Sequence, residues 1–239
     1  MKRDIFLCCF SLAALLISCI AADRYIAPAF HQLEPSEAPV LILDAGHGGE
    51  DGGALTASGH KESEINLDIV LKLESLLAFL GTDAVLTRNE DVSIHDPGCT
   101  TLREKKVSDL KNREALINST SNAMVISVHQ NTFTDSRYKG TQVFFGSGEI
   151  SLQWGNLTQT LFQRTIDSNN SRNASAVPEH VYLFKHIDCP AILVECGFLS
   201  NGEEAALLLT DAYQRKLALV LTGAYFHQLQ MIPTPLGGG

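Results

Sequence analysis

The chain has 239 residues, 45% hydrophobic and 19% charged, a globular composition sized for one domain with a short appendage. A formal net charge of −9 sets it against the phosphates of nucleic acid. With only 7% aromatic residues, scattered along the chain, it has no stacking platform for single strands either.

Residues 1–22 read as a signal or anchor segment. Lys2 and Arg3 precede an apolar run from Ile5 to Ala22 that only serines interrupt. As a helix this run would reach about 27 Å, just enough to span a bilayer. Three readings stay open: an uncleaved anchor, a lipoprotein signal at Leu16-Ile17-Ser18-Cys19, and a secretory signal cleaved near Ala21-Ala22. All three export the rest of the chain, and the first two give it membrane contact through the N-terminal segment. Residues 23–38, with Pro28 and Pro35 and no periodicity, are a linker. The folded domain is expected over 39–230, and 231–239 is a frayed tail.

Within the domain, strand and helix patterns alternate. VLILD (40–44) is an apolar run of strand length bounded by glycines. Over 64–80, Ile65, Ile69, Leu73, Leu76, Leu77 and Leu80 recur at helical spacing, with Ser63 as N-cap and Gly81 as the stop. DAVLTR (83–88) reads as a strand, 93–99 as a loop and 102–120 as an amphipathic helix. AMVISVH (123–129) and TQVFFG (141–146) are strands, followed by a helix over 151–168 and a polar loop over 168–180. VYLF (181–184) and AILVE (191–195) read as strands, and 203–209 and 211–229 as helices. This order predicts an α/β fold: three layers, with a twisted, mostly parallel sheet of about six strands covered by helices on both faces. Cys99, Cys189 and Cys196, the cysteines beyond the leader, are odd in number and lack a CxxC. They exclude a zinc knuckle and a disulfide framework, and read as buried thiols.

Three of the most apolar strands end in chemistry-bearing residues: LILDAGH in His47, VISVH in His129 and ILVE in Glu195. In an open α/β sheet, ligands bind beyond the carboxyl ends of the strands, so parallel neighbours would bring these side chains together. The glycines around His47 do not make a phosphate loop. The third glycine of a dinucleotide fingerprint is missing, no helix follows at once, and Asp44, Glu50 and Asp51 place negative charge where phosphate would sit. A metal site fits better. Two neutral imidazoles and one carboxylate, with a fourth position open, are the ligand pattern of catalytic zinc. Glycine neighbours permit the tight turn and close approach of substrate. On the residues alone, the carboxylate comes either from Glu195 or from the HKESE cluster at 60–64.

Together GHGGEDGGA, KESEINLDI, SVHQN and LVECGFLSN resemble the zinc-dependent N-acetylmuramoyl-L-alanine amidases of bacteria, over roughly residues 39–229. The resemblance implies Zn2+ held by His47, Glu62 and His129, with Glu195 as the catalytic glutamate. It implies hydrolysis of the bond between N-acetylmuramic acid and L-alanine in peptidoglycan. KKVSDLKNREALIN and VYLFKHIDCPAILVECGFLSN look most like the single-domain enzymes acting on spore cortex. Wall-binding repeats are absent, and the 168–180 loop is too short and hydrophilic for the helix that plugs the active site in some relatives. Constitutive activity, or control by an activator or targeting protein, follows. Two alternatives stand: an exported metallohydrolase of another amide, and a non-catalytic wall-binding module.

Other polar residues carry weaker expectations. His60, two residues before Glu62, reads as a surface loop histidine or else a ligand; His95 and His180 read as loop histidines, and His186 as a loop residue able to touch substrate carboxylates. Arg88 and Arg113 would either recognise acidic stem peptides or form structural ion pairs. Asn131 would orient a ligand or bind substrate, and Cys196 should face away from Glu195 into the core. Between Glu62 and Glu64, an N-cap at Ser63 would put Glu64 in the helix and leave Glu62 on the loop, free to reach the metal.

Overall fold

The computed structural model describes residues 38–232, so the readings of the leader lie outside the described residues, as do residues 233–239. Six strands form one sheet: β1 Val40–Ala45, β2 Ala84–Leu86, β3 Ala123–Asn131, β4 Gln142–Phe145, β5 Ser175–Ala176 and β6 Ala191–Phe198, in the order β2-β1-β3-β6-β4-β5. Neighbours β2, β1, β3 and β6 are all parallel, β4 runs antiparallel to β6, and β5 lies parallel to β4. Among the described residues six helices flank the sheet: α1 Glu62–Phe79, α2 Leu102–Ser119, α3 Glu149–Thr165, α4 Tyr182–His186, α5 Gly202–Leu208 and α6 Asp211–Met231.

Period-two alternation along the strands builds the layers. Leu41 and Leu43 of β1, Ile126 and Val128 of β3, and Ile192, Val194 and Cys196 of β6 share one core with Ile69 and Leu73 of α1, Trp154 of α3 and Leu221 of α6. Residues of the opposite parity, Ile42, Val125 and Leu193, join Ile117 of α2 and Leu183 and Phe184 of α4 in a second core. The strands are apolar on both sides because both sides are covered. Cys196 faces the first core, away from Glu195, as its strand parity required; Cys99 and Cys189 are only half-buried, and all three thiols are free.

Three expectations fail. VYLF is not a strand: Tyr182 opens the short helix α4. Leu183, Phe184 and Ile187 reach the second core together, at the i+3 and i+4 spacing of a helix, and Ile187 fell just outside the four-residue window. The sixth strand is instead Ser175–Ala176, inside the stretch read as a polar loop. The first helix also starts earlier than expected, at Glu62, with Lys61 as its N-cap. Loop carbonyls replace a side-chain cap there: Glu62 N donates to Ala54 O at 2.8 Å and Ser63 N to Gly52 O at 3.1 Å. Among the described residues, no helix is long and apolar enough to cross a membrane.

Candidate active site

Since β1, β3 and β6 are parallel, their carboxyl ends lie on one edge of the sheet, and that edge carries the site. His47 sits two residues past β1 in the left-handed backbone region, with φ 63. Two buried arginines fix this turn. Arg113 of α2 donates to the carbonyls of Ala45 at 2.8 Å and His47 at 2.7 Å, and pairs with Asp44 and Asp109. Arg88 donates to the carbonyls of Ala45 at 2.9 Å, Gly46 at 3.1 Å and Ser63 at 2.7 Å. Both guanidiniums are therefore occupied in structure, and neither is placed to read a substrate. Asp44 also accepts from Thr87 and Ser127. Burial works against its charge, but Arg113, Ser127 and His129 together outweigh it and hold the carboxyl at about 2. Leaving one member of that buried pair alone would cost about 3–5 kcal/mol.

His47, Glu62 and His129 come together, with one ligand atom of each within 4.8 Å of the others. Glu62 Oε1 lies 3.0 Å from His129 Nδ1 and 3.4 Å from His47 Nε2. Ligand atoms around a tetrahedral zinc with bonds of about 2.0–2.1 Å are about 3.3 Å apart, so the spacing and the donor set both fit that ion. Glu62 Oε1 also accepts from Gln130 N at 3.1 Å and Asn66 Nδ2 at 3.3 Å, while Oε2 accepts from Ala54 N at 2.9 Å. On its far side, His47 Nδ1 meets Asp51 Oδ2 at 3.1 Å, which leaves Nε2 turned to the site. Burial lowers the His47 pKa, yet the Asp51 and Glu62 carboxylates outweigh it and raise the imidazole to about 9. Burial likewise opposes the charge on Glu62, but hydrogen bonds with His129 and His47 hold it well below the usual carboxylate range. The pocket is built to hold positive charge against Glu62.

Glu195 stands beside this cluster: on adjacent strands, its Cα is the register partner of that of His129. Its Oε2 is buried without a hydrogen-bond partner. Burial pushes the carboxyl up to about 7, with His129 pulling it down and Glu62 pushing it up. Such a group exchanges a proton near neutrality, as general acid–base chemistry demands.

Three glycine and polar features escaped the sequence reading. Asn66 and Gln130 form a buried chain behind Glu62, with Gln130 Nε2 donating to Asn66 Oδ1 at 3.1 Å and Asn66 Nδ2 to Gly46 O at 3.1 Å. Asp51, four residues after His47, orients that ring; the i+4 spacing within GHGGED was the available signal. Gly46 makes room for the His129 ring rather than for substrate, since a Cβ there would lie 2.2 Å from His129 Cε1. The remaining candidates stay outside the cluster. His60 hydrogen-bonds Ser58, His95 hydrogen-bonds Ser93, and His180 is exposed. His186 stacks on Tyr182 and contacts its carbonyl, and Asn131 Oδ1 accepts from Thr132 N at 2.7 Å.

Glu62, though inside the helix, is the residue turned to the imidazoles, while Glu64 Oε2 accepts from Lys61 N at 3.4 Å at the helix start. Glu62→Gln is therefore expected to weaken zinc binding at least about 10-fold, and Glu64→Gln to leave it intact at a small cost in stability. Chelator competition on both variants checks this, and equal losses would reject the assignment.

Residues 41–224 match the N-acetylmuramoyl-L-alanine amidase family. The germination-specific N-acetylmuramoyl-L-alanine amidase of Bacillus subtilis is 32% identical over 187 residues, 77% of this chain and 77% of that one. N-acetylmuramoyl-L-alanine amidase AmiA of Escherichia coli is 25% identical over 234 residues, 79% of this chain and 76% of its own. Among solved structures, the CwlD amidase of Clostridioides difficile, in complex with the GerS lipoprotein, superposes with a TM-score of 0.77 at 36% identity, over 81% of this chain and 100% of that one.

Proposed function

The chain belongs to the N-acetylmuramoyl-L-alanine amidase family, and from that membership we propose that His47, Glu62 and His129 hold a zinc ion while Glu195 moves the protons. The reaction is hydrolysis of the amide between N-acetylmuramic acid and L-alanine in peptidoglycan, outside the cytoplasm. The observation that carries the site reading is the placement of Glu62 Oε1 between two imidazole nitrogens, beside the unpartnered buried Oε2 of Glu195.

Zinc bound there supplies Lewis acidity, acidifying a water and drawing charge from the scissile carbonyl. The chain's own residues do the rest. Glu62, pinned by Ala54 N, Asn66 and Gln130 N, keeps the two imidazoles converged. Asp51 and the Arg113 and Arg88 clamps fix the His47 turn, so no reorganisation is needed when substrate arrives. Glu195 accepts a proton from the attacking water at Oε2 and returns it to the departing alanine nitrogen.

In this reading residues 39–230 are the catalytic domain. The apolar run Ile5–Ala22 exports it as an anchor, a lipoprotein segment or a cleaved signal. A spore-cortex substrate is supported by the likeness to the germination-specific enzyme, and an activating lipoprotein partner by the complex formed by the Clostridioides difficile amidase. Digestion of purified peptidoglycan tests the whole reading. New N-terminal alanine on released stem peptides, abolished by chelation and restored by zinc, is the expected result. Release of peptides with other N-termini would favour a different exported amide hydrolase, and no release would favour a wall-binding module.

A further inference from the structure

The peptide of an amidase substrate is acidic, yet the two arginines that the sequence offered to receive it are buried in the β1 turn. Another cation stands in their place. Arg172 lies in the stretch between α3 and β5, half-buried, with its guanidinium carbon 5.0 Å from the ring centre of Phe198 and 5.9 Å from that of Tyr138. Among the described residues no carboxylate pairs with it; its side chain makes one long contact, NH2 to Lys139 O at 3.5 Å. Lys139 is exposed and likewise without an ion pair. A cavity of about 400 Å³ is lined by Asp135, Arg137, Tyr138, Lys139 and Arg172, and its one carboxylate, Asp135, is already engaged by Arg137 at 2.7 Å. In a chain of net charge −9, a lining of three cations and one carboxylate is a local excess of positive charge.

The cation is also held in place. Arg172 N donates to Asn170 Oδ1 at 3.1 Å, Gln163 Nε2 to Arg172 O at 2.7 Å, and Gln142 Nε2 to the neighbouring Asn173 O at 2.7 Å. Opposite, Glu204 fastens both walls at once, accepting from Gly140 N at 2.9 Å and Phe198 N at 2.6 Å. Stacking on two rings and a pinned backbone remove the rotamer freedom that an exposed arginine would otherwise lose on binding. The position is tied to the active site by the sheet. Phe198 lies three residues beyond Glu195 on β6, and Asn131, two residues past His129, is its register partner. Arg172 stands over Phe198, three residues along β6 from Glu195 and so at most about 10 Å further along that strand, a span that about three residues of extended peptide can cover.

We infer that Arg172, with Lys139 beside it, is the subsite that binds a carboxylate of the substrate's peptide and sets its register on the amide to be cut. This rests on the amidase reading above. The planar guanidinium suits a carboxylate in two parallel hydrogen bonds, and the ring floor suits the aliphatic part of the peptide residue that carries it.

The test uses the zinc-loaded full chain and a soluble muramoyl peptide in two forms, one with free side-branch carboxylates and one with these converted to carboxamides. Wild type is expected to prefer the free acid by about 10-fold in kcat/KM, through KM, the scale of one charge-assisted hydrogen bond. In Arg172→Gln that preference should collapse toward parity, and Arg172→Lys should restore part of it. Calorimetry of the free acidic peptide with each protein provides a second readout that needs no catalysis, with Kd expected to rise about 10-fold in Arg172→Gln. An acid-over-amide preference that is the same in wild type and Arg172→Gln, or an unchanged peptide Kd, overturns the subsite. Failure of wild type to cleave either muramoyl peptide would instead count against the amidase reading, and peptide binding would still report on Arg172.

Discussion

Glu195→Gln should lose at least about 10²-fold in kcat while retaining one zinc ion per chain. Glutamine keeps the size and the strand position of the side chain but can neither take a proton from water nor return one to the leaving nitrogen. With His47, Glu62 and His129 as the proposed ligands, this carboxylate is not needed to hold the metal, because Glu62 already stands 3.0 and 3.4 Å from the two imidazoles. A pH profile separates this role from a structural one. Burial, the largest influence, raises Glu195 to about 7. A cation among the three ligands favours the ionised form and must pull that value lower. Wild-type kcat/KM should therefore fall on the acid side along a limb centred below 7, as the base is protonated, and that limb should be missing from the residual activity of Glu195→Gln. Zinc stoichiometry by elemental analysis and the rate on a muramoyl peptide check both halves. A glutamine variant of near-native rate, or one whose zinc disappears in step with its activity, would remove Glu195 from the chemistry.

The sequence made His47, His129 and Glu195 legible for a simple reason. Each closes an apolar strand, and parallel strands buried on both sides bring their ends to one edge. Glu62 was harder, because it reaches the site from a helix start and hydropathy does not separate it from Glu64. The resemblance named Glu62, which the fold brings to the two imidazoles, while the capping argument offered beside it was mistaken. Ser63 has the favoured chemistry of an N-cap, but the helix begins one residue before it, its first amides satisfied by the carbonyls of Ala54 and Gly52. Partners far apart in the chain left no local pattern at all. Arg113 reaches back 69 residues to Asp44, and Gln130 reaches back 64 to Asn66. For that reason the two arginines were open to a substrate-binding reading that their burial rules out. In α4, a short apolar run satisfied strand and helix equally until Ile187 showed the period.

Gly46→Ala is expected to disable the metal centre without disturbing the backbone, and it separates the two explanations for the glycine-rich turn. If the glycines serve flexibility or substrate approach, a methyl at Gly46 should be tolerated by the free protein, since this residue is not among those with positive φ. The structure points elsewhere: the added Cβ would lie 2.2 Å from Cε1 and 2.3 Å from Nε2 of His129. Contacts under about 3 Å cannot persist, and the turn itself cannot retreat, because Arg88 and Asn66 both hold the Gly46 carbonyl. The imidazole must swing, breaking its 3.0 Å contact with Glu62 and moving its nitrogen off the common point. We expect zinc affinity to fall at least about 10-fold and activity by about 10²-fold, because misplacement of a catalytic group by about 1 Å has that effect. Gly223→Ala, in the middle of α6 with nothing within 4 Å of its new Cβ, is the control and should raise stability by about 0.5–1 kcal/mol. Chelator competition, turnover and thermal melts of the two variants decide the matter. Native zinc affinity in Gly46→Ala would mean that the turn yields instead of the ring, and that His129 is not held against the Gly46 backbone.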